Sequence, residues 1–386
     1  MNNGQTNSIP TGGIKLFHIA DLHLGSPFSG LDVRSSDVRR EELLRSFEDA
    51  VALAAREGCH AILIAGDLFD CGYVGTDTVR RVFGALGSCG LPTVIAPGNH
   101  DPYTDGGIYG GKGIPDNVYI FESRKMSYFD LDGIGLRVHG YAFDSRSYTD
   151  DPLSEDAELA EGRFNVLCAH GDIFSPLSTY APINPARLGE MGFDYAALGH
   201  VHKYSEPVKL RGCLVAYSGF PEGRSFDECG FGGALTVTLT RDGDGVSAEA
   251  ERVVLSGKRY LTGELDVTGA SGVSDLVASI KQYLSKNGIG KETSLRLTLV
   301  GAVDPSLQCD RVMSADEAGL ALLEIRNETL PLFDAEYLEN DITLRGALYR
   351  QLLPMLNSPD GETRRVAIGA LRMGLAALEG RGLTRQ

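Results

Sequence analysis

Between Ile14 and Thr240 short apolar runs alternate with stretches of helical spacing. Residues 14–20 (IKLFHIA), 61–65 (AILIA), 93–96 (TVIA), 164–169 (FNVLCA) and 195–198 (YAAL) are predicted as buried strands, being short, apolar and bounded by polar or glycine positions. Residues 40–56 (REELLRSFEDAVALAAR) place apolar side chains on one helical face, with Gly58 just beyond the last turn. Residues 78–86 predict a second helix, and Pro92 marks the restart into the next strand. Residues 135–141 and 232–240 (GGALTVTLT) alternate more strictly and predict antiparallel strands. The mixture predicts an α/β (α+β) fold of two packed sheets flanked by helices.

The pattern changes near Lys258, which predicts a main domain over 14–257 and a smaller one over 258–386, behind a disordered polar segment, 1–13. In the smaller domain, residues 263–267, 273–284 and 294–300 predict a βαβ unit. Residues 316–330, 341–356 and 364–378 predict helices.

A chain of 386 residues with 42% hydrophobic and 23% charged positions is ordinary for a globular protein. Residues 1–13 lack the basic and apolar regions of a signal peptide, and no apolar stretch is long enough to span a bilayer. The seven cysteines are scattered without a C-x-x-C, and Cys168 and Cys213 lie inside strand-like runs. They are predicted as buried thiols in a reducing cytoplasm. The net charge of −16 argues against a protein that coats itself in nucleic acid. From Lys258 onward there are 15 basic and 17 acidic residues, so most of the excess lies before it. From Thr343 onward seven arginines face three acids, which suits either a solvated amphipathic helix or a basic binding patch.

Each of the five strand-like runs ends in a polar cluster bordered by glycine: Asp21-Leu22-His23, Gly66-Asp67, Gly98-Asn99-His100-Asp101, His170-Gly171 and Gly199-His200-Val201-His202. Five of the eight histidines fall there. Ligands in open α/β sheets bind at the carboxyl ends of strands, so the clusters can meet in one crevice. Carboxylate, amide oxygen and imidazole without thiolate suit Mn²⁺, Fe²⁺ or Zn²⁺ rather than a structural zinc site. Two such ions about 3.5–4 Å apart can clamp a phosphoryl group and activate a water for in-line attack. Asp67 is the natural bridging carboxylate. His18, His60 and His139 carry no partner motif and are expected to be ordinary strand or loop residues. Asp70 is expected to support a ligand or cap a helix rather than ligate.

The series DLH, GDLFD, GNHD, AHGD, GHVH resembles the calcineurin-like metallophosphoesterase superfamily. FHIADLHLGSPFSG, ILIAGDLFD, ALGHVHKY and SGFPEGRSFDECG are similar to the SbcD-type DNA repair exonucleases, particularly their YhaO-like branch. The likeness covers about 15–233 and extends more weakly through LLEIRNETLPLFDAEYL and DITLRGALYRQLL. It implies a four-layer α/β/β/α sandwich with a smaller C-terminal capping domain. It implies that Asp21, His23, Asp67 and His202 hold one Mn²⁺ ion, and that Asp67, Asn99, His170 and His200 hold the other. His100 would then stabilise the transition state or protonate the leaving oxygen, with Asp101 orienting its ring. The 218–228 loop would line the substrate groove, with Arg224 and Ser218 as candidate substrate contacts, or staple the sheet as a turn. Where relatives often carry a basic residue near the end of that loop, this chain has Phe231.

These readings converge on a metal-dependent phosphodiester hydrolase, expected to be a DNA exo/endonuclease of repair. A small-nucleotide phosphodiesterase or phosphatase is the alternative, and a metal-free scaffold a remote one. A coiled-coil ATPase or a second copy of the chain are the protein partners the likeness suggests, with no membrane and a cytoplasmic setting.

Overall fold

The computed structural model describes residues 13–378, apart from positions 71, 244, 305–306, 310–311 and 332–334. The expected disordered segment therefore lies, but for Gly13, outside the described residues, as do Arg381 and Arg385 of the basic tail. The chain divides into two compact units, Met1–Arg259 and Tyr260–Gln386.

The first unit contains β1 (Ile14–Ile19), α1 (Val33–Arg56), β2 (Ala61–Ile64), α2 (Thr76–Cys89), β3 (Thr93–Ile95), β4 (Val118–Ile120), β5 (Ser127–Leu131) and β6 (Leu136–Gly140). It continues through β7 (Phe164–His170), α3 (Pro185–Glu190), β8 (Tyr195–Gly199), β9 (Val208–Leu210), β10 (Cys213–Tyr217), β11 (Gly230–Asp242) and the start of β12 (Gly245–Asp266). One sheet runs β12-β11-β1-β2-β3-β4 in this unit. Its strands β1 to β4 are parallel, and β11 is antiparallel to β1 with Leu16 opposite Val237. The other sheet runs β5-β6-β7-β8-β10-β9, with β6, β7, β8 and β10 parallel and the edge strands antiparallel. The run at 135–141, expected to be antiparallel, is so toward β5 and parallel toward β7.

Strand period two sorts the apolar residues into layers. On β1 and β2, Phe17, Ile19, Ile62 and Ile64 pack under α1 and α2 against Leu44, Phe47, Val51 and Leu86. Their alternates Leu16, Ala61 and Leu63 meet Val166, Cys168, Tyr195 and Ala197 of the other sheet. The outer face of that second sheet (Leu167, Ala196, Leu198, Val215) is covered by Leu188 of α3, Met191 and Phe193. Helix, sheet, sheet and helix thus stack in four layers. Strands buried on both faces are what the continuous apolar runs required.

Helix α1 starts at Val33, well before the expected Arg40, because Asp32 caps it and accepts from Ser35 N at 3.1 Å. Its first turns are largely exposed and carry no apolar stripe, so periodicity did not reveal them. Gly90 ends α2 in the left-handed conformation at φ 71°. Cys168 and Cys213 are buried free thiols, as expected.

In the second unit, Leu276, Ile280 and Leu284 of the helix Val273–Lys286 pack on Leu295, Leu297 and Leu299 of the strand Thr293–Val300. The expected helix at 316–330 does not form. Ser314 caps a single turn, Ala315–Ala318, and Gly319 (φ 67°) ends it. Leu322–Asn327 then lies parallel to Thr293–Val300 as a strand. Helices Ala335–Asn340, Leu344–Leu356 and Gly361–Leu378 follow. No helix among the described residues is long and apolar enough to cross a membrane.

Gly199 ends β8 where the two sheets approach tightly. A Cβ there would overlap the Ala65 carbonyl oxygen and press on the Ala20 side chain. Gly199→Ala is expected to destabilise the protein by about 1–3 kcal/mol, the usual range for overpacking. The check is a urea midpoint: an unchanged value would mean the sheets separate at that end without loss.

Candidate metal centre

The five clusters meet at the carboxyl ends of β1, β2, β3, β7 and β8, so both sheets contribute. Asp21, His23, Asp67 and His202 each aim one ligand atom into a space where all four atoms lie within 4.8 Å of one another. His23 Nε2 stands 3.2 Å from His202 Nε2 and 3.5 Å from Asp67 Oδ2. The same Asp67 oxygen lies 3.4 Å from His170 Nε2, which in turn lies 3.0 Å from Asn99 Oδ1. The His200 ring packs edge-on against His170, with centroids 5.3 Å apart.

The backbone turns sharply to present these groups. Among the described residues, seven non-glycine positions have positive φ, and four of them are Asp21 (55°), His23 (46°), Asp67 (51°) and His200 (104°). Each such position costs on the order of 1–3 kcal/mol, and such strain concentrates at functional sites. Gly66 and Gly98 leave room for the neighbours: a Cβ on Gly66 would overlap the His170 ring, and one on Gly98 the Asp67 carboxylate.

Supporting hydrogen bonds decide which imidazole nitrogen faces inward. His170 Nδ1 lies 3.0 Å from the Ala65 carbonyl, which can only accept, so Nδ1 carries the proton. His202 Nδ1 lies 2.8 Å from Glu228 Oε1. Asp21 is held by the His200 backbone N–H, at 3.0 and 3.2 Å from its two oxygens. His23 Nδ1 is buried without a hydrogen-bond partner.

Charge is poorly balanced in this largely buried cluster. Burial raises the Asp21 carboxyl above its ordinary range, against the pull of His202 and His170. Burial would raise Asp67 as well, but His170 and His23 overcome it and hold that carboxyl below the usual carboxylate range. Burial alone would lower His170; Asp67 and Asp21 instead bring it up to about 9. A proton on His170 Nε2 and a cation beside it are therefore alternatives. The facing imidazole nitrogens, with His23 Nε2 3.2 Å from His202 Nε2, and the O/N donor set fit divalent metal ions.

His100 sits at the rim with its side chain 46% exposed and its ring 4.6 Å from that of His23. Asp101 was expected to orient that ring; it does not. Its carboxylate is fully buried and accepts from the backbone N–H groups of Asp67 (3.2 Å), Phe69 (3.0 Å) and Gly98 (2.8 Å), and from the Tyr109 hydroxyl (2.5 Å). It ties the β2 and β3 loops together. Burial and the nearby Asp67 raise its pKa to about 7. The carboxylate facing His100 is Asp70, 3.8 Å from Nδ1, and it raises the imidazole pKa. Asp70 does not cap a helix: the N-cap of α2 is Gly75.

Two further expectations change. Ser218 is completely buried and donates to the Gly219 carbonyl at 3.3 Å, so it has no face for substrate. Arg224 is paired with Glu228 and reaches Ser26 Oγ at 3.3 Å, so it fastens the loop rather than standing free for a phosphate. His18 (bonded to Tyr195 and the Leu198 carbonyl), His60 (accepting from Lys15 N) and His139 (beside Asn165) lie outside the cluster, as expected. Glu228 escaped the sequence reading. It is 26 residues from His202, and its only signal was the i,i+4 spacing to Arg224.

Residues 14–204 match the calcineurin-like phosphoesterase family. The two-sheet fold and the Asp/Asn/His centre agree with that match to the calcineurin-like phosphoesterases. The chain is 29% identical over 302 residues to the uncharacterized metallophosphoesterase YhaO of Bacillus subtilis, covering 75% of this chain and 72% of that one. It is 23% identical over 391 residues to the DNA double-strand break repair protein Mre11 of Methanopyrus kandleri, covering 93% and 82%. Over 219 residues it is 29% identical to Mre11 of Aeropyrum pernix, covering 49% of each.

If Asp67 serves two ions, Asp67→Asn should weaken both. Elemental analysis after equilibrium dialysis of the full chain should find both equivalents reduced. Loss of only one would assign Asp67 to a single ion.

Proposed function

We propose that this chain is a dinuclear-metal phosphodiesterase acting on DNA. The observation that carries the reading is the Asp67 oxygen lying 3.5 Å from His23 Nε2 and 3.4 Å from His170 Nε2, where one carboxylate can serve two ions. Asp21, His23, Asp67 and His202 would hold one ion, and Asp67, Asn99, His170 and His200 the other. Mn²⁺ is the proposed metal, with Fe²⁺ and Zn²⁺ compatible with the same donors. Bound there, the ions supply Lewis-acid polarisation of the phosphoryl oxygens and lower the pKa of an attacking water.

The chain's own residues do the rest. His100, exposed beside the centre, would donate a proton to the leaving oxygen, with Asp70 holding its ring and favouring the charged form. His100→Asn is expected to lower turnover by about 10²–10⁴-fold, with metal content unchanged by elemental analysis. Metal loss equal to that of Asp67→Asn would make His100 a ligand instead.

DNA as substrate rests on the likeness to proteins named for double-strand break repair. The acidic charge favours a second reading, a small phosphodiester or nucleotide. An Mn²⁺-dependent assay across duplex DNA, single strands, a cyclic nucleotide and a generic phosphodiester separates the two. Turnover of the small substrates alone would overturn the DNA assignment.

The C-terminal unit is proposed as a cap that guides DNA or docks a coiled-coil ATPase, in a monomer or a homodimer. Its arginines from Thr343 onward would make the phosphate contacts. Duplex affinity should then fall with salt by about 0.9 log units per log unit for each phosphate neutralised. Deleting 341–386 should flatten that slope and leave small-substrate hydrolysis intact. An unchanged slope would remove DNA guidance from the tail.

A further inference from the structure

The 218–228 segment joins the metal centre to helix α1 through a chain of buried and half-buried polar contacts. Glu228 is 4% exposed and accepts at both oxygens. Oε1 faces His202 Nδ1 at 2.8 Å, and Oε2 accepts from the Arg224 backbone N–H at 2.8 Å. The Arg224 guanidinium adds further bonds to the same carboxylate and one to Ser26 Oγ. Ser26 Oγ in turn donates to the His23 carbonyl at 2.8 Å. Two residues before Arg224, Glu222 pairs with Arg39 of α1 at 3.0 Å, and Arg39 also donates to the Gly223 carbonyl at 3.0 Å. Phe220 N donates to the His202 carbonyl at 2.9 Å, closing the turn back onto the ligand loop.

We propose that Glu228 is a positioning residue that fixes the His202 imidazole for metal binding, and that the 219–224 turn anchors it to α1. The inference rests on the two-ion reading above. An ionised carboxylate has no proton to give, so His202 Nδ1 donates and Nε2 keeps its lone pair toward His23 and Asp67. Arg224 Nη2 also lies 3.3 Å from Nδ1, and a guanidinium can only donate. If that contact governed the tautomer, the proton would sit on Nε2 and block ligation. The shorter contact to the carboxylate wins, because charge-assisted hydrogen bonds are the shorter and stronger kind. Arg224 is left to hold Glu228, and its cation compensates the buried carboxylate.

Glu228 should therefore matter to one ion and not the other. His170, which would serve the second ion, takes its orientation from the Ala65 carbonyl and is independent of this loop. The test is stepwise Mn²⁺ titration of the full-length protein by calorimetry, with electron paramagnetic resonance reporting the coupling between the two ions. Glu228→Ala is expected to weaken one of the two binding steps about 10–100-fold, the usual cost of losing such a supporting group. The other step should stay at the wild-type value. Glu228→Gln keeps an acceptor for Nδ1–H and should recover part of the loss. Arg39→Gln leaves Glu228 in place and loosens its anchor, along with the Arg39–Glu42 pair on α1, so a smaller loss in the same step is expected. If Glu228→Ala fails to fold, these two milder variants carry the test. Two wild-type steps in all three variants would overturn the inference, and so would equal weakening of both steps. A wild type that takes up no Mn²⁺ would instead sink the two-ion reading beneath it.

Discussion

Sheets packed face to face normally lie about 10 Å apart, yet at the ends of β2 and β8 a methyl group on Gly199 would overlap the Ala65 carbonyl. That convergence is the constraint on which the centre depends. It brings β1, β2 and β3 of one sheet within side-chain reach of β7 and β8 of the other. Small residues make it possible: Ala20, Ala65, Gly66 and Gly199 stand where the gap closes. The same Ala65 carbonyl then becomes a tool, setting the His170 tautomer. A larger side chain at any of these positions would widen the gap and move histidines of one sheet away from carboxylates of the other.

Having met, these groups are awkward neighbours. Two carboxylates and four imidazoles crowd together at this centre, with Asp21, His23, Asp67 and His200 on backbone at positive φ. A polar group buried without a partner is expensive, and His23 Nδ1 pays that cost in the structure described. Such frustration is tolerated only where surrounding structure over-determines it. Here the over-determination is visible: Asp101 ties three backbone amides together under Asp67, and Asp21 is bound to the His200 amide. These bonds fix the backbone that carries the candidate ligands, and pre-organised sites depend on such supporting bonds.

The strands and the convergence of their ends were legible in the sequence because both follow from local rules. A two-face-buried strand is a short apolar run, and a ligand-bearing turn is an Asp, Asn or His beside a glycine. What escaped depended on contacts between distant segments. Asp101 follows His100 in sequence, but its neighbour in space is the β2 loop; Asp70 reaches His100 across 30 residues of chain. Ser218 sits in a conspicuous polar loop, but sequence gives no measure of burial. The helix expected at 316–330 failed for a readable reason, since Gly319 is a helix stop and LLEI that follows suits a strand as well as a helix. The first turns of α1 lacked an apolar stripe, so only the Asp32 cap could have announced them.

The acidic charge acquires meaning at this centre. A phosphodiester is an anion, and the first unit carries most of a net charge of −16. Two of its carboxylates, Asp21 and Asp67, are buried in the cleft, so without cations an incoming phosphate would meet repulsion from both near and far. Two divalent ions held there would reverse the local sign, since bound cations are commonly the largest local charges in a site. Distant surface charges are screened beyond about 8 Å at physiological salt, so the near field decides. Substrate affinity and metal affinity would then be thermodynamically linked: the factor by which bound metal raises phosphate affinity equals the factor by which bound phosphate raises metal affinity. An acidic surface thus need not forbid a nucleic-acid substrate. On the proposed reading the interaction would be conditional on a filled centre, and the bonds that orient His170 and His202 would bear on binding as well as chemistry.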